Sequence, residues 1–171
     1  MIYLNIGSNL SSKKGNRFYN INKAIKLIKK LSVKIVKISS IYETPSYPDK
    51  SKPRFVNICI KIKSELDPYI FLKKIQKIEK YLGRTRMKVN EPRTCDIDII
   101  DYNKKIIKNP KLILPHPKLH LRNFVVYPLK EIEPEWSHPI NNNKISVFFI
   151  KLNEKSHKEI TRLNKNVILN I

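Results

Sequence analysis

The sequence predicts an α+β sandwich, in which helices cover one face of a mainly antiparallel sheet and leave the other face free to hold a ligand. Two observations predict it. Stretches with apolar residues at every second position alternate with stretches that repeat at three and four, in the order βαββαβ, the ferredoxin-like arrangement. No internal repeat or low-complexity linker interrupts that order, and 171 residues suit a single domain burying roughly 70% of its unfolded surface.

Each element has its own signal. Ile2, Leu4 and Ile6 alternate with Tyr3 and Asn5, and Gly7, Ser8 and Asn9 end the strand in a turn. From Arg17 to Leu31, Phe18, Ile21, Ala24, Ile25, Ile28 and Leu31 form an amphipathic stripe between lysines. Val33 to Tyr42 is β-branched and reads as one strand, stopped at Thr44-Pro45. A loop through Tyr47, Pro48 and Pro53 leads to the strand Phe55 to Lys63, where Phe55, Asn57 and Cys59 share a face. Asp67 before Pro68 is a helix N-cap, and Gly83 ends the helix that carries Ile75, Ile78 and Leu82. Cys95 to Tyr102 reads as a strand that turns at Asn103 into a hairpin with Ile106-Ile107. After a proline-punctuated segment from Leu114 to Trp136, a last helix is expected from Ser146 into the C-terminal residues.

Composition excludes several classes. No run of 18 apolar residues and no signal-type N-terminus is present, so a cytoplasmic protein with no membrane partner is expected. Cys59 and Cys95 form no metal or disulfide pattern and read as thiols in the core. The net charge of +21 invites a nucleic-acid reading, but the lysines are spread among isoleucine and asparagine as biased coding would spread them. No nucleic acid is expected as partner, and the RNA-recognition module's sequence pattern is absent.

The stretch NEPRTCDIDIID, Asn90 to Asp101, carries the chemistry. A strand's period of two puts Asp96 and Asp98 on one face while Ile97 and Ile99 point into a core. Two adjacent carboxylates suit Mg²⁺, a hard cation that binds through one or two carboxylates plus substrate phosphates. The planar fork of Arg93 suits phosphate oxygens. No Walker-type phosphate loop is present, and His116 and His120 lack the carboxylate of a zinc motif.

These features lie in an ordered set: IGSNL from Ile6, SSIYETP from Ser39, FVN from Phe55, GRTR from Gly83, PRTCDID from Pro92, PHP from Pro115 and HLRNFV from His120. The set resembles the 6-hydroxymethyl-7,8-dihydropterin pyrophosphokinase family over residues 1 to about 140, which implies pyrophosphate transfer from ATP to a pterin alcohol in folate biosynthesis. By that resemblance Asp96 and Asp98 hold two Mg²⁺ ions, and Arg84, Arg86 and Arg93 bind phosphate. Glu79, Ile99, Lys111, His116 and Arg122 complete the nucleotide site. Phe55 and Phe124 sandwich the pterin, while Asn57, Thr44 and Pro45 read its edge. The resemblance further implies a monomer whose partners are ATP and the pterin. The sequence departs from the family at Glu91, where glycine or alanine is common, at Phe55, where tyrosine is frequent, and at Lys111, often arginine. The loop Met87 to Asn90, read as part of a lid, lacks the tryptophan of some relatives.

Overall fold

Strand β1 (Ile2–Ser8) is buried along its whole length, and that decides the architecture. In this computed structural model, which describes residues 1–46, 49–84 and 92–163, β1 lies between two antiparallel partners, β4 (Phe55–Lys63) and β5 (Asp96–Tyr102). The far edge of β4 pairs with β2 (Lys34–Ile38) and β3 (Ile41–Thr44), and β8 (Thr161–Leu163) adds to β3. The sheet order is β5-β1-β4-β3-β8, with β2 beside β3 on β4.

Ile2, Leu4, Ile6, Ile58 and Ile60 face α1 (Arg17–Lys29) and α2 (Pro68–Tyr81). Both helices are capped, α2 as the sequence indicates and α1 by a residue not read from it. Asn16 accepts from the Phe18 and Tyr19 N–H groups, Asp67 accepts from Tyr69 and Ile70, and Gly83 follows α2 at φ 90°.

Tyr3, Cys59 and Ile100 point the other way, into a second core made with α3 (Asn123–Ile132) and α4 (Ile145–Lys151). Helices therefore cover both faces, not one, and the ligand face is open only where α3 leaves it. The physical reason lies in α3 itself, whose Pro128 masks it as a loop in the sequence. A proline has no N–H to give the carbonyl four residues back. That carbonyl, Phe124 O, instead accepts from the side-chain nitrogen of Asn5 at 3.0 Å, which also donates to Ile58 O at 3.1 Å, with the amide oriented toward both acceptors.

Three further expectations are corrected. The segment Val33 to Tyr42 forms two strands, because Ser39 Oγ accepts the Cys59 N–H and Ser40 N–H goes to Glu131, which takes the chain off the ladder. Asn103 and Lys104 do turn the chain, at φ 53° and 60°, but β6 (Ile107–Asn109) pairs with β7 (Leu112–Leu114) rather than with β5. The carbonyl of Ile100 on β5 accepts from His116, beyond β7, so that stretch of the edge is already used. Finally, the C-terminal helix stops at Lys151, and a short α5 (Glu154–Lys158) leads to β8.

Candidate active site

Cross-strand register brings the site together. Gly7 on β1 pairs with Asn57 on β4 and with Asp96 on β5, while its neighbour on the same face, Asn5, pairs with Cys59 and Asp98. Asp98, Asp96, Gly7, Asn57 and Phe55 thus occupy one face, with carboxylates at one end and an amide and a ring at the other.

Gly7 supplies the gap between the ends. A Cβ at this position would lie 2.7 Å from Asn57 Oδ1 and 3.8 Å from the Phe55 ring. Asn57 is buried and donates to Thr44 Oγ1 at 3.4 Å, and Thr44 is itself the cross-strand partner of Phe55. Pro45 follows Thr44 and is half-buried. Phe124, in the first turn of α3, packs on the same face's core, and its ring carries the Arg122 guanidinium at 5.5 Å. Gly7→Ala is accordingly expected to fold but to displace Asn57, and to weaken binding of a flat ligand beside Phe55 and Asn57 by about tenfold or more. Isothermal titration with a pterin as the probe checks it.

At the other end the carboxylates are dressed with arginines. Asp96 accepts from Arg84 at 2.5 Å and from Arg93 at 2.8 Å, and Asp98 accepts from Arg122 at 3.0 Å. Arg84 also contacts Glu79, a buried carboxylate at the end of α2 that takes the Ile97 N–H at 2.8 Å. Burial opposes charge on the Arg84 guanidinium, yet Asp96 and Glu79 together hold its pKa above the ordinary value. His116 Nε2 lies 3.8 Å from Asp98 and 3.3 Å from Arg122. Burial and the Arg122 charge push its pKa down to about 4, so it is a neutral imidazole at pH 7.

Burial raises the Asp98 pKa to about 6, helped by the Asp96 charge beside it and opposed by Arg122. A carboxylate whose ionisation is resisted, with a second carboxylate beside it, is a site that a divalent cation would relieve. Among the described residues no cluster of three or more His, Cys, Asp or Glu side chains is arranged for a metal. The carboxylate oxygens of Asp96 and Asp98 suit Mg²⁺, which keeps waters and phosphate oxygens among its ligands.

A cleft of about 370 Å³ opens along the outer edge of β5, between α2 and the β6–β7 turn. Gln76, Glu79, Arg84, Asp98, Lys111 and His116 are among the residues lining it. Ile99 lines it too, although its side chain is buried in the α2-side core, so a ligand there meets mainly its backbone. Lys111 is exposed at the rim. Arg86, Glu91 and the loop Met87 to Asn90 lie outside the described residues. Sequence reasoning misses Gln76 and Asn5, and it reads Gly7 as a turn residue of the IGSNL motif, whereas Gly7 lies within β1.

The profile of the 7,8-dihydro-6-hydroxymethylpterin-pyrophosphokinase (HPPK) family matches residues 3–134. The chain belongs to that family. A 2-amino-4-hydroxy-6-hydroxymethyldihydropteridine pyrophosphokinase of Aquifex aeolicus is 40% identical over 147 residues, covering 86% of this chain and 89% of the relative. The enzyme of that name in Bacillus subtilis is 39% identical over 131 residues, 76% of either chain. The folic acid synthesis protein fol1 of Pneumocystis carinii is 36% identical over 159 residues, and this chain spans only 21% of its length. A crystal structure of Plasmodium falciparum HPPK-DHPS with pterin and p-hydroxybenzoate shares the fold, with a TM-score of 0.72 at 18% identity over 94% of this HPPK chain and 46% of that one.

Proposed function

We infer that this chain transfers the pyrophosphate of ATP to 6-hydroxymethyl-7,8-dihydropterin, releasing AMP and giving the pterin diphosphate of folate synthesis. The observation that carries the reading is the cross-strand row Asp96–Gly7–Asn57, with an arginine-flanked carboxylate pair one strand away from a glycine-made gap beside an amide and a ring. The strand order also supports the ferredoxin-like βαββαβ frame, with β2 and β3 together as its second strand.

In this reading the triphosphate enters the cleft at the β5 edge, and the pterin lies between Phe55 and Phe124 with its polar edge on Asn57 and the Thr44–Pro45 backbone. Stacking suits a flat heterocycle, and the loss of the tyrosine hydroxyl at Phe55 leaves the stacking surface unchanged. The hydroxymethyl oxygen attacks the β-phosphorus in line; the bond from that phosphorus to the bridging oxygen breaks, and AMP leaves with that oxygen. Arg84, Arg93 and Arg122 turn from carboxylate to phosphate oxygens and neutralise the charge that moves onto the leaving group. Neutral His116 offers a hydrogen bond at that end. Asp96 and Asp98 would hold Mg²⁺, two ions in this reading, which when bound supplies charge neutralisation for the triphosphate. In this reading the Asp98 carboxylate takes the hydroxymethyl proton. We infer a monomeric, cytoplasmic enzyme of one domain.

The test is chromatography of the nucleotide product after incubation with Mg²⁺, ATP and the pterin. AMP formed only with the pterin present supports the reading. ADP, or no product from folded protein, sinks it.

A further inference from the structure

Asn9 follows directly on the end of β1 at Ser8 and begins no phosphate loop, yet it is buried and both polar atoms of its side chain are engaged. Its Oδ1 accepts the Arg93 N–H at 2.7 Å. Its Nδ2 donates to Ser46 Oγ at 3.1 Å and to Pro53 O at 3.0 Å. Its backbone N–H, with that of Leu10, returns to Arg93 O at 3.1 and 3.3 Å. An asparagine side chain offers two N–H donors and one carbonyl acceptor, and all three kinds of partner are present.

The partners lie in two different segments. Ser46 and Pro53 are the two ends of the loop between β3 and β4; Ser46 follows Pro45, and Pro53 stands two residues before Phe55. Ser46 Oγ also donates to Pro53 O at 2.9 Å, which closes the loop's base. Arg93 belongs to the segment before β5, and its guanidinium reaches Asp96. Clamping both the N–H and the C=O of Arg93 fixes the origin of that side chain.

Resting on the function proposed above, we propose that Asn9 is a positioning residue that ties the pterin-side loop to the arginine-bearing segment, so that one buried amide sets the placement of both substrates. Asparagine alone does this at the observed distances. Aspartate keeps the acceptor for Arg93 but turns a second acceptor toward Pro53 O, and alanine removes all three contacts.

The consequence is a split between two variants, measured by steady-state kinetics on folded protein. Asn9→Asp should raise the pterin KM about tenfold while kcat stays within about threefold, since the Arg93 contact survives and a buried hydrogen-bond mismatch costs roughly one decade. Asn9→Ala should raise the pterin KM as much and also lower kcat by about tenfold or more. Equal losses in both constants for Asn9→Asp, or kinetics within about twofold of the unaltered protein for either variant, overturn the proposal. If Asn9→Ala does not fold, the KM-against-kcat split of Asn9→Asp decides alone. Absence of AMP formation by the unaltered protein counts against the proposed function instead, and titration of the pterin against Asn9→Asp then still reads the loop contact.

Discussion

Replacing Asp98 by alanine is expected to lower kcat by on the order of 10³-fold or more, with the fold intact, and Asp96→Ala to do likewise. Both side chains are part-exposed on a sheet face, so neither supports the core, where Ile97 and Ile99 do the packing. In the proposed function, what each removes is an oxygen that faces the triphosphate. The two should differ in detail. Asp96 is shared by Arg84 and Arg93, so its loss removes one contact from each of two guanidinium groups, although Arg84 keeps Glu79, whereas loss of Asp98 removes the contacts with Arg122 and His116. Asp96→Ala should therefore leave binding of nucleotide without metal close to normal, because Arg84 and Arg93 still carry the charges that attract phosphate. Turnover, with circular dichroism for the fold and calorimetry for each ligand, separates these effects.

The same carboxylate makes a stability prediction with a definite sign. Asp98 titrates at about 6 in the folded chain, above its ordinary value of 3.8, so the folded state holds a proton that the unfolded state has lost. Stability from this group is present below the ordinary value and is lost as pH rises through about 6. Asp98→Asn should thus melt a few degrees higher than the unaltered protein at pH 7 to 8, with the difference closing toward pH 4. An inactive variant that is more stable is the signature of a site assembled against its own electrostatics.

Much of this was legible in the chain, for local reasons. Strand β1, α1, β4 and α2 follow from periodicity and caps, although Gly7 and Ser8 prolong β1 instead of ending it, and Asp96 and Asp98 follow from a spacing of two on a strand. Other features depend on contacts between distant residues. Helix α3 was hidden by Pro128, whose orphaned carbonyl is satisfied by an amide more than a hundred positions earlier. The break at Ser39 and Ser40 depends on Cys59 and Glu131, and strand β8 is only three residues long, too short for a period to declare itself. Asn9 looked like a turn residue, because its partners at 46, 53 and 93 are brought near only by folding.

Arg122→Ala is expected to lower kcat/KM by about 10²-fold, and the reason it exceeds an ordinary surface arginine is that the guanidinium serves both ends of the site. It donates to Asp98, sits 3.3 Å from His116 Nε2 and lies over the Phe124 ring. Its charge lowers the pKa of Asp98 and of His116 alike. Without it both groups titrate higher. Asp98 then holds its proton to a higher pH, so the acid limb of Mg²⁺ affinity against pH should move up from about 6, where burial and Asp96 already place it. His116 should at the same time become protonable closer to neutral pH, from its present value of about 4, which a ring-proton NMR titration would follow. Arg122→Lys should restore the two titrations in large part, since a positive charge suffices for them, but should leave kcat/KM low because an ammonium cannot reproduce the planar fork over the ring and toward phosphate. A lysine variant with full activity would show that charge alone matters at this position, and that the stacking of Arg122 on Phe124 is incidental.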